Sequence, residues 1–289
     1  LDQSRFEALL TQEIEQMCQI ALTEDLAGID NIDITAELIP EEKQASATLI
    51  TREAGVLCGQ AWVRKIFELL GGRVKIDWFA QDGEKISANQ VICRLDGNAR
   101  DLLTGERSAM NFLQSLSATA TLTNAYLEKI TDTNCQLLDT RKTIPGMRFG
   151  QKYAVKCGGG TNHRLGLSDA FLIKENHILA CGSIAKALQN AQKNHPDKLL
   201  EIEVESIDEL KQALDGGAQV IMLDNFDLES MNEAKLIRDR HTNQAKLEAS
   251  GNISMATIGK IASTGIDYIS VGALTKHIKA LDLSMRITL

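Results

Sequence analysis

The chain has 289 residues, 44% of them apolar and 4% aromatic, which suits one large α/β domain or a barrel with a smaller companion. Its 31 Lys and Arg against 39 Asp and Glu leave a net charge of −8, which argues against a nucleic-acid or anionic-membrane surface, since either needs a widespread basic face. The cysteines at 18, 58, 93, 135, 157 and 181 form no C-x-x-C pair, which excludes zinc-type spacing and points to a reducing cytoplasm; no apolar run reaches the ~18 residues of a membrane span.

Phe6, Leu9, Leu10, Ile14, Met17 and Ala21 recur at helical spacing and predict an amphipathic helix over 4–22. Between 45 and 97, "SATLITREAGVLCG", "RVKIDWFA" and "QVICRLDG" read as short strands around a helix through "AWVRKIFELLGG", ended by its glycines. Residues 100–130 contain no Pro and keep an apolar stripe, so they predict one long helix or two in succession. After 135 the pattern alternates. Strands end at "QLLDT", "DAFLIK", "LLEIEVE", "QVIMLDN", "KLEAS" and "DYISVG", and helices over 183–194, 206–215, 228–240 and 254–264 separate the later ones. That alternation calls for parallel strands with crossover helices.

The strand-end residues Lys174, Glu203, Asp224, Ser250 and Gly272 lie 29, 21, 26 and 22 residues apart, one βα unit each. Five polar or glycine tips at carboxyl ends favour a TIM-like ring over the single crevice of an open sheet. The tail 278–289 ends in a short alternating stretch and is expected to return to the N-terminal domain.

Positive charge concentrates between Asp139 and His177, where seven Lys or Arg face three Asp or Glu. Arg141 and Lys142 follow one strand, His163 and Arg164 follow the glycines at 158–160, and Lys174 closes the next strand. A guanidinium fits a carboxylate or phosphate through two parallel hydrogen bonds, and Lys adds a movable point charge. A small polyanion is the ligand this pocket suits. Arg148, Lys152 and Lys156 are read as solvated loop charges. "KCGGGTNH" has neither the ending of a P-loop nor the order of a dinucleotide fingerprint, so its glycines are expected to turn the backbone sharply and close to a ligand.

Glu203 and Asp224 are acidic tips with apolar neighbours. They suit a Mg²⁺ ion that keeps several waters and bridges phosphate oxygens, or they balance the cations across the pocket. Alternation puts Glu201, Glu203 and Glu205 on one face, so periodicity does not choose among them. "LEASGN" and "YISVGALT" end strands on small residues before a helix. Backbone amides at Ser250, Gly251, Asn252, Gly272 and Ala273 could cradle a phosphate there, or the small residues could serve packing alone. His177, just past Lys174, could support the site from behind; His195, His241 and His277 read as surface residues.

These stretches, together with "TEDL" at 23–26, "GERSAMNFLQSLS" at 105–117 and "LLDTRKTIPGMR", resemble the quinolinate phosphoribosyltransferase family, also called nicotinate-nucleotide pyrophosphorylase (carboxylating). The resemblance runs through nearly the whole chain in the family's order. It departs at "AGIDNIDITAE", where the family has a shorter Gly-Asp-Ile-Thr turn. The resemblance implies an α/β fold, an incomplete TIM-like α/β barrel (118–277) with an N-terminal α/β sandwich domain (1–117) on which the tail 278–289 packs. It implies a dimer or larger assembly; the cytoplasmic setting and the absence of a nucleic-acid or membrane partner are expected from the cysteines and the charge.

By matching motifs, Arg141, His163 and Arg164, with Thr140 beside them, would hold the quinolinate carboxylates, with Lys142 and Lys174 close by as catalytic residues. Arg107 would reach the site from the partner subunit. Glu203 and Asp224 would manage Mg²⁺ and the ribose hydroxyls of phosphoribosyl pyrophosphate. Ser250, Gly251 and Asn252, with Val271, Gly272 and Ala273, would hold the 5′-phosphate. No redox cofactor is implied. A pyridine phosphoribosyltransferase for nicotinate or nicotinamide would need fewer cations, and a passive anion sensor would gain nothing from acids at the strand tips.

Overall fold

The computed structural model describes residues 3–26 and 32–288, so the start of the "AGIDNIDITAE" stretch, residues 27–31, lies outside the described residues. In chain order the first elements are α1 (Gln3–Asp25), β1 (Gln44–Thr51), β2 (Gly55–Val56), α2 (Gln60–Leu69), β3 (Val74–Trp78), β4 (Lys85–Ile86), β5 (Val91–Asn98) and α3 (Ala99–Leu127). There follow β6 (Gln136–Leu138), α4 (Arg148–Cys157), β7 (Ala170–Ile173), α5 (Glu175–Cys181), α6 (Ile184–Asn194), β8 (Leu199–Val204), α7 (Ile207–Asp215) and β9 (Val220–Asp224). The last are α8 (Leu228–Arg240), β10 (Lys246–Ser250), α9 (Ile258–Ala262), β11 (Tyr268–Ser270), α10 (Ala273–Lys276) and β12 (Leu283–Thr288).

Two units emerge: Leu1–Asn124 with Thr143–Gly159 and Leu274–Leu289, and Ala125–Lys142 with Gly160–Ala273. In the first, an antiparallel sheet runs β12-β1-β5-β3. Ala45, Ala47, Leu49 and Thr51 alternate inward along β1, and the first three share one hydrophobic core with the buried face of α2, where Trp62, Val63, Ile66 and Phe67 recur at helical spacing. The tail strand β12 pairs with β1 in the register Leu49↔Met285.

Thr143–Gly159 clusters with this unit although the sequence reading assigns it to the barrel. The reason is Glu13 of α1, whose carboxylate accepts from the Phe149 and Gly150 amides (2.8 and 2.6 Å) at the start of α4. Lys152 is fully buried rather than a solvated loop charge, and Arg148 donates to Thr143 Oγ1. The glycines after α4 serve packing: a Cβ at Gly158 would lie 2.4 Å from the Ala120 carbonyl of α3, and Gly159 takes φ +90°. Gly158 thus approaches a helix.

The second unit is a six-stranded parallel sheet in the order β6-β11-β10-β9-β8-β7. Among the described residues β6 and β7 share no ladder, so the TIM-like ring is incomplete. Leu137, Ile202, Ile221, Leu223, Leu247 and Ile269 are buried in its strands, as expected where helices cover a parallel sheet. Three of the outer helices have a side-chain cap that fixes their start. Ser183, Ser206 and Asp227 accept from the amides of Lys186, Glu209 and Ser230 ahead of α6, α7 and α8, each contributing about 1 kcal/mol. The expected helix over 254–264 shrinks to α9, because Thr257 Oγ1 accepts from the Ser254 amide and holds that stretch in a turn. The long-helix reading resolves into the single helix α3 of 29 residues.

Candidate active site

The tips of the parallel strands carry the charges that the sequence singles out. β6 runs into Asp139, fully buried, which accepts from Asn162 Nδ2 at 2.6 Å and from the His163 amide at 2.9 Å. A parallel bridge between Leu138 and Thr161 adds a second fastening. The loops bearing Arg141 and Lys142 and bearing His163 and Arg164 are therefore stapled together. Thr140 Oγ1 accepts from the Lys142 amide (3.1 Å), and Lys142 lies across Gly272, where a Cβ would come within 2.9 Å of its Cδ.

Arg164 Nη1 donates to the Ala170 carbonyl at 3.3 Å. Burial first, then the like charge of Arg141, makes its guanidinium harder to keep protonated than an ordinary one. Arg141 Nε is itself buried with no hydrogen-bond partner among the described residues. Two guanidinium groups held this way are poorly compensated by the protein and are poised for an anion.

Beside them, Lys174 closes β7. Its amide donates to His177 Nδ1 at 3.0 Å, and its ammonium forms a short ion pair with Glu203 of β8. His177 thus supports the Lys174 backbone from behind. On the next strands Asp224 and Ser250 are direct register partners. Asn225, at φ +56°, knits them together: Nδ2 donates to Asp224 Oδ2 (2.8 Å), Oδ1 accepts from Asn252 Nδ2 (3.2 Å), and its amide donates to the Ser250 carbonyl (3.0 Å). Gly251, at φ +92°, leaves no room for a side chain, since a Cβ would sit 2.2 Å from Asn225 Oδ1. The turn 250–252 is thereby locked to the carboxylate beside it.

Two expectations change. Val271 is buried and its amide donates to the Leu138 carbonyl at 3.0 Å, so it offers no donor to a phosphate. The His163 ring is turned inward, with 9% of its side chain exposed: Nε2 lies 3.0 Å from Glu201 and 3.5 Å from Glu248, and Nδ1 accepts from the Arg164 amide at 2.8 Å. Both ring nitrogens are engaged by the protein, so the direct carboxylate contact expected of His163 is not offered. Burial opposes charging this imidazole and the two carboxylates favour it, but a second ring proton would have to sit on Nδ1 against the Arg164 N–H, so that hydrogen bond keeps the ring neutral. Burial, in turn, raises Glu201. Arg107 stands exposed on α3, in the first unit.

Sequence reasoning missed Asp139, Asn225 and Glu248, and left Glu201 undecided. Each acid had a signal, namely an ionisable residue inside or closing an apolar strand; Glu248 in "KLEAS" shares the alternation of Ser250. Asn225 had none beyond its place after a strand tip.

Mg²⁺ fits the donor set at Glu203 and Asp224. Lys174 engages one oxygen of the first and Asn225 one of the second, which leaves the other carboxylate oxygens for a hard cation. An ion of this kind completes its shell with water and substrate oxygens.

Fold and site define a class: an α/β-barrel protein that gathers cations from several loops beside acids at the adjoining strand tips. The family follows from likeness to known proteins. The profile described as "Quinolinate phosphoribosyl transferase, C-terminal domain" matches residues 119–286, and the corresponding N-terminal profile matches 33–117. The chain belongs to the quinolinate phosphoribosyl transferase family. It is 41% identical over 248 residues to a probable nicotinate-nucleotide pyrophosphorylase [carboxylating] of Synechocystis, covering 85% of this chain and 84% of that protein. It is 36% identical over 297 residues to a mitochondrial quinolinate phosphoribosyltransferase [decarboxylating] of Nicotiana tabacum, covering 96% and 83%. The solved nicotinate-nucleotide pyrophosphorylase of Francisella tularensis superposes with a TM-score of 0.92 at 47% identity, covering 96% of each chain.

Proposed function

We propose that this protein transfers phosphoribose from phosphoribosyl pyrophosphate to the ring nitrogen of quinolinate, releasing pyrophosphate, CO₂ and nicotinate mononucleotide for NAD synthesis. The observation that carries the reading is the pair of poorly compensated guanidinium groups, Arg141 and Arg164, beside the Lys174–Glu203 pair and the Asp224–Ser250 tips. Arg141 and Arg164, with Thr140, Lys142 and Lys174, hold the two carboxylates and orient the ring nitrogen towards the sugar. Glu203 and Asp224 bind the ribose hydroxyls and face the positive charge that grows at the sugar C1 as pyrophosphate leaves. Amides and side chains of Ser250, Gly251, Asn252, Gly272 and Ala273 hold the 5′-phosphate. Mg²⁺, held at Glu203 and Asp224, supplies charge neutralisation on the leaving group.

The nitrogen lone pair forms the bond to C1 as the C1–O bond to pyrophosphate breaks. The ring nitrogen is then a pyridinium, and its positive charge stabilises the electron pair left on the adjacent ring carbon when that carbon's carboxylate departs as CO₂; a proton from solvent then bonds to this carbon and completes nicotinate mononucleotide. No redox cofactor enters that balance. The enzyme works as a homodimer or larger assembly, with Arg107 contributed by the partner subunit. The six cysteines are all free thiols, which supports a reducing, cytoplasmic setting. No helix among the described residues is long and apolar enough to cross a membrane.

The test is to supply phosphoribosyl pyrophosphate, Mg²⁺ and either quinolinate or nicotinate, and to follow pyrophosphate and CO₂. Quinolinate-dependent release of both is expected. Turnover with nicotinate alone would reassign the substrate, and binding without product would make the protein a sensor.

A further inference from the structure

Glu201 of β8 and Glu248 of β10 stand on either side of β9, paired with Val220 and Met222. Their side chains are 2% and 1% exposed, and both reach His163 Nε2. The three ligand atoms lie within 4.8 Å of one another, a spacing that a divalent cation could bridge. The far side of the ring decides otherwise. Nδ1 accepts from the Arg164 amide, so the ring proton belongs on Nε2, where a metal would have to bind.

We propose that Glu201 and Glu248 are positioning residues for the anion grip: they hold His163 through its Nε2–H, and His163 Nδ1 holds the Arg164 amide, so that the Arg164 guanidinium is aimed at the same ligand as Arg141. Asp139 pins the His163 backbone by accepting from its amide. This relay rests on the reading of Arg164 as a carboxylate ligand.

Glu248 Oε1 marks the relay as functional. It is buried with no hydrogen-bond partner among the described residues. A buried, unsatisfied carboxylate oxygen costs stability, so a purely structural position would be better filled by an apolar side chain. An orienting position tolerates that cost because the second oxygen sets the ring.

The experiment uses the full chain with Glu248→Leu, which removes the acceptor, and Glu248→Gln, which keeps one. Glu248→Leu should raise the KM for quinolinate about 10- to 100-fold. The KM for phosphoribosyl pyrophosphate should stay within about twofold, the melting temperature should match or exceed wild type, and Glu248→Gln should recover most of the loss. In ligand-free wild-type protein, ¹⁵N spectra of the histidine rings should show His163 protonated on Nε2 and bare on Nδ1. An unchanged quinolinate KM in Glu248→Leu, equal rises in both KM values with a lower melting temperature, a protonated Nδ1, or a divalent ion retained one per chain by wild type and lost in Glu248→Leu would each overturn the relay. If wild-type protein failed to take quinolinate at all, the functional reading would fall, and the ring-nitrogen spectrum would still decide the relay.

Discussion

Gly251→Ala is a one-carbon change that tests how the phosphate turn and the strand-tip acid are joined. At φ +92° an alanine carries about 1–3 kcal/mol of backbone strain. Its Cβ would also lie 2.2 Å from Asn225 Oδ1 and 3.1 Å from the Asn225 backbone nitrogen, so the Asn225 side chain must leave. With it go the bonds to Asp224 and from Asn252, each about 0.5–1.5 kcal/mol and weaker where solvent competes. The stability loss should total about 2–4 kcal/mol, read as a shift in urea midpoint at unchanged m-value.

The functional consequence should be specific. The KM for phosphoribosyl pyrophosphate should rise at least about tenfold, because the turn and Asp224 lose their common fastening. Quinolinate affinity should stay within about twofold, since Arg141, Arg164 and Lys142 are untouched. Adding Asn225→Ala relieves the contact with Oδ1 but leaves the φ strain and the lost hydrogen bonds in place, so the double variant should regain neither stability nor affinity for the donor. A Gly251→Ala enzyme that is destabilised yet keeps the wild-type KM for phosphoribosyl pyrophosphate would refute the coupling.

Arg164→Ala should raise the quinolinate KM at least about tenfold, because one charge-assisted contact contributes ~1.4 kcal/mol or more; an unchanged KM in steady-state kinetics would remove Arg164 from the grip. Mixing inactive Arg107→Ala and inactive Lys174→Ala proteins should restore activity to roughly a quarter of the wild-type sites after subunit exchange, and no recovery would mean the site is not shared. Asp267 tests the barrel's acid stability: burial alone would raise its carboxyl, but Lys246, the Leu247 amide and Arg238 outweigh this and hold it below its ordinary value of 3.8. That contribution is fully present above the unfolded value and is lost as pH falls through the folded one. Asp267→Asn should therefore cost about 2–4 kcal/mol at pH 7, leaving the buried Arg238 short of its partner, and the gap to wild type in denaturant melts should close as pH falls below the unfolded value.

The barrel was legible because each parallel strand writes an apolar run ending on a polar tip. Lys174, Asp224 and Ser250 could be picked out as strand tips from spacing, before any likeness to a family entered, but Glu203 could not, because Glu201 and Glu205 share its alternation. Side-chain direction could not. Nothing in "GGGTNHRLG" says that His163 turns inward while Arg164 does not; that depends on Glu201 and Glu248 from strands far away in the chain. Lys152 misled for a similar reason: helix α4 was read as loop, and a lysine in a loop is expected in water. The glycines at 158–160 suggested a ligand loop, whereas Gly158 is small because α3 passes against it. Local pattern carries the strands, and long-range packing decides which charges face the ligand.

The most direct measurement is calorimetric titration of the wild-type protein with quinolinate and, separately, with nicotinate. If Arg141, Arg164 and their lysine neighbours clamp both carboxylates, the second carboxylate adds about 1.5–3 kcal/mol, and quinolinate should bind roughly 10- to 150-fold more tightly. Equal affinities, or tighter binding of nicotinate, would contradict the dicarboxylate clamp.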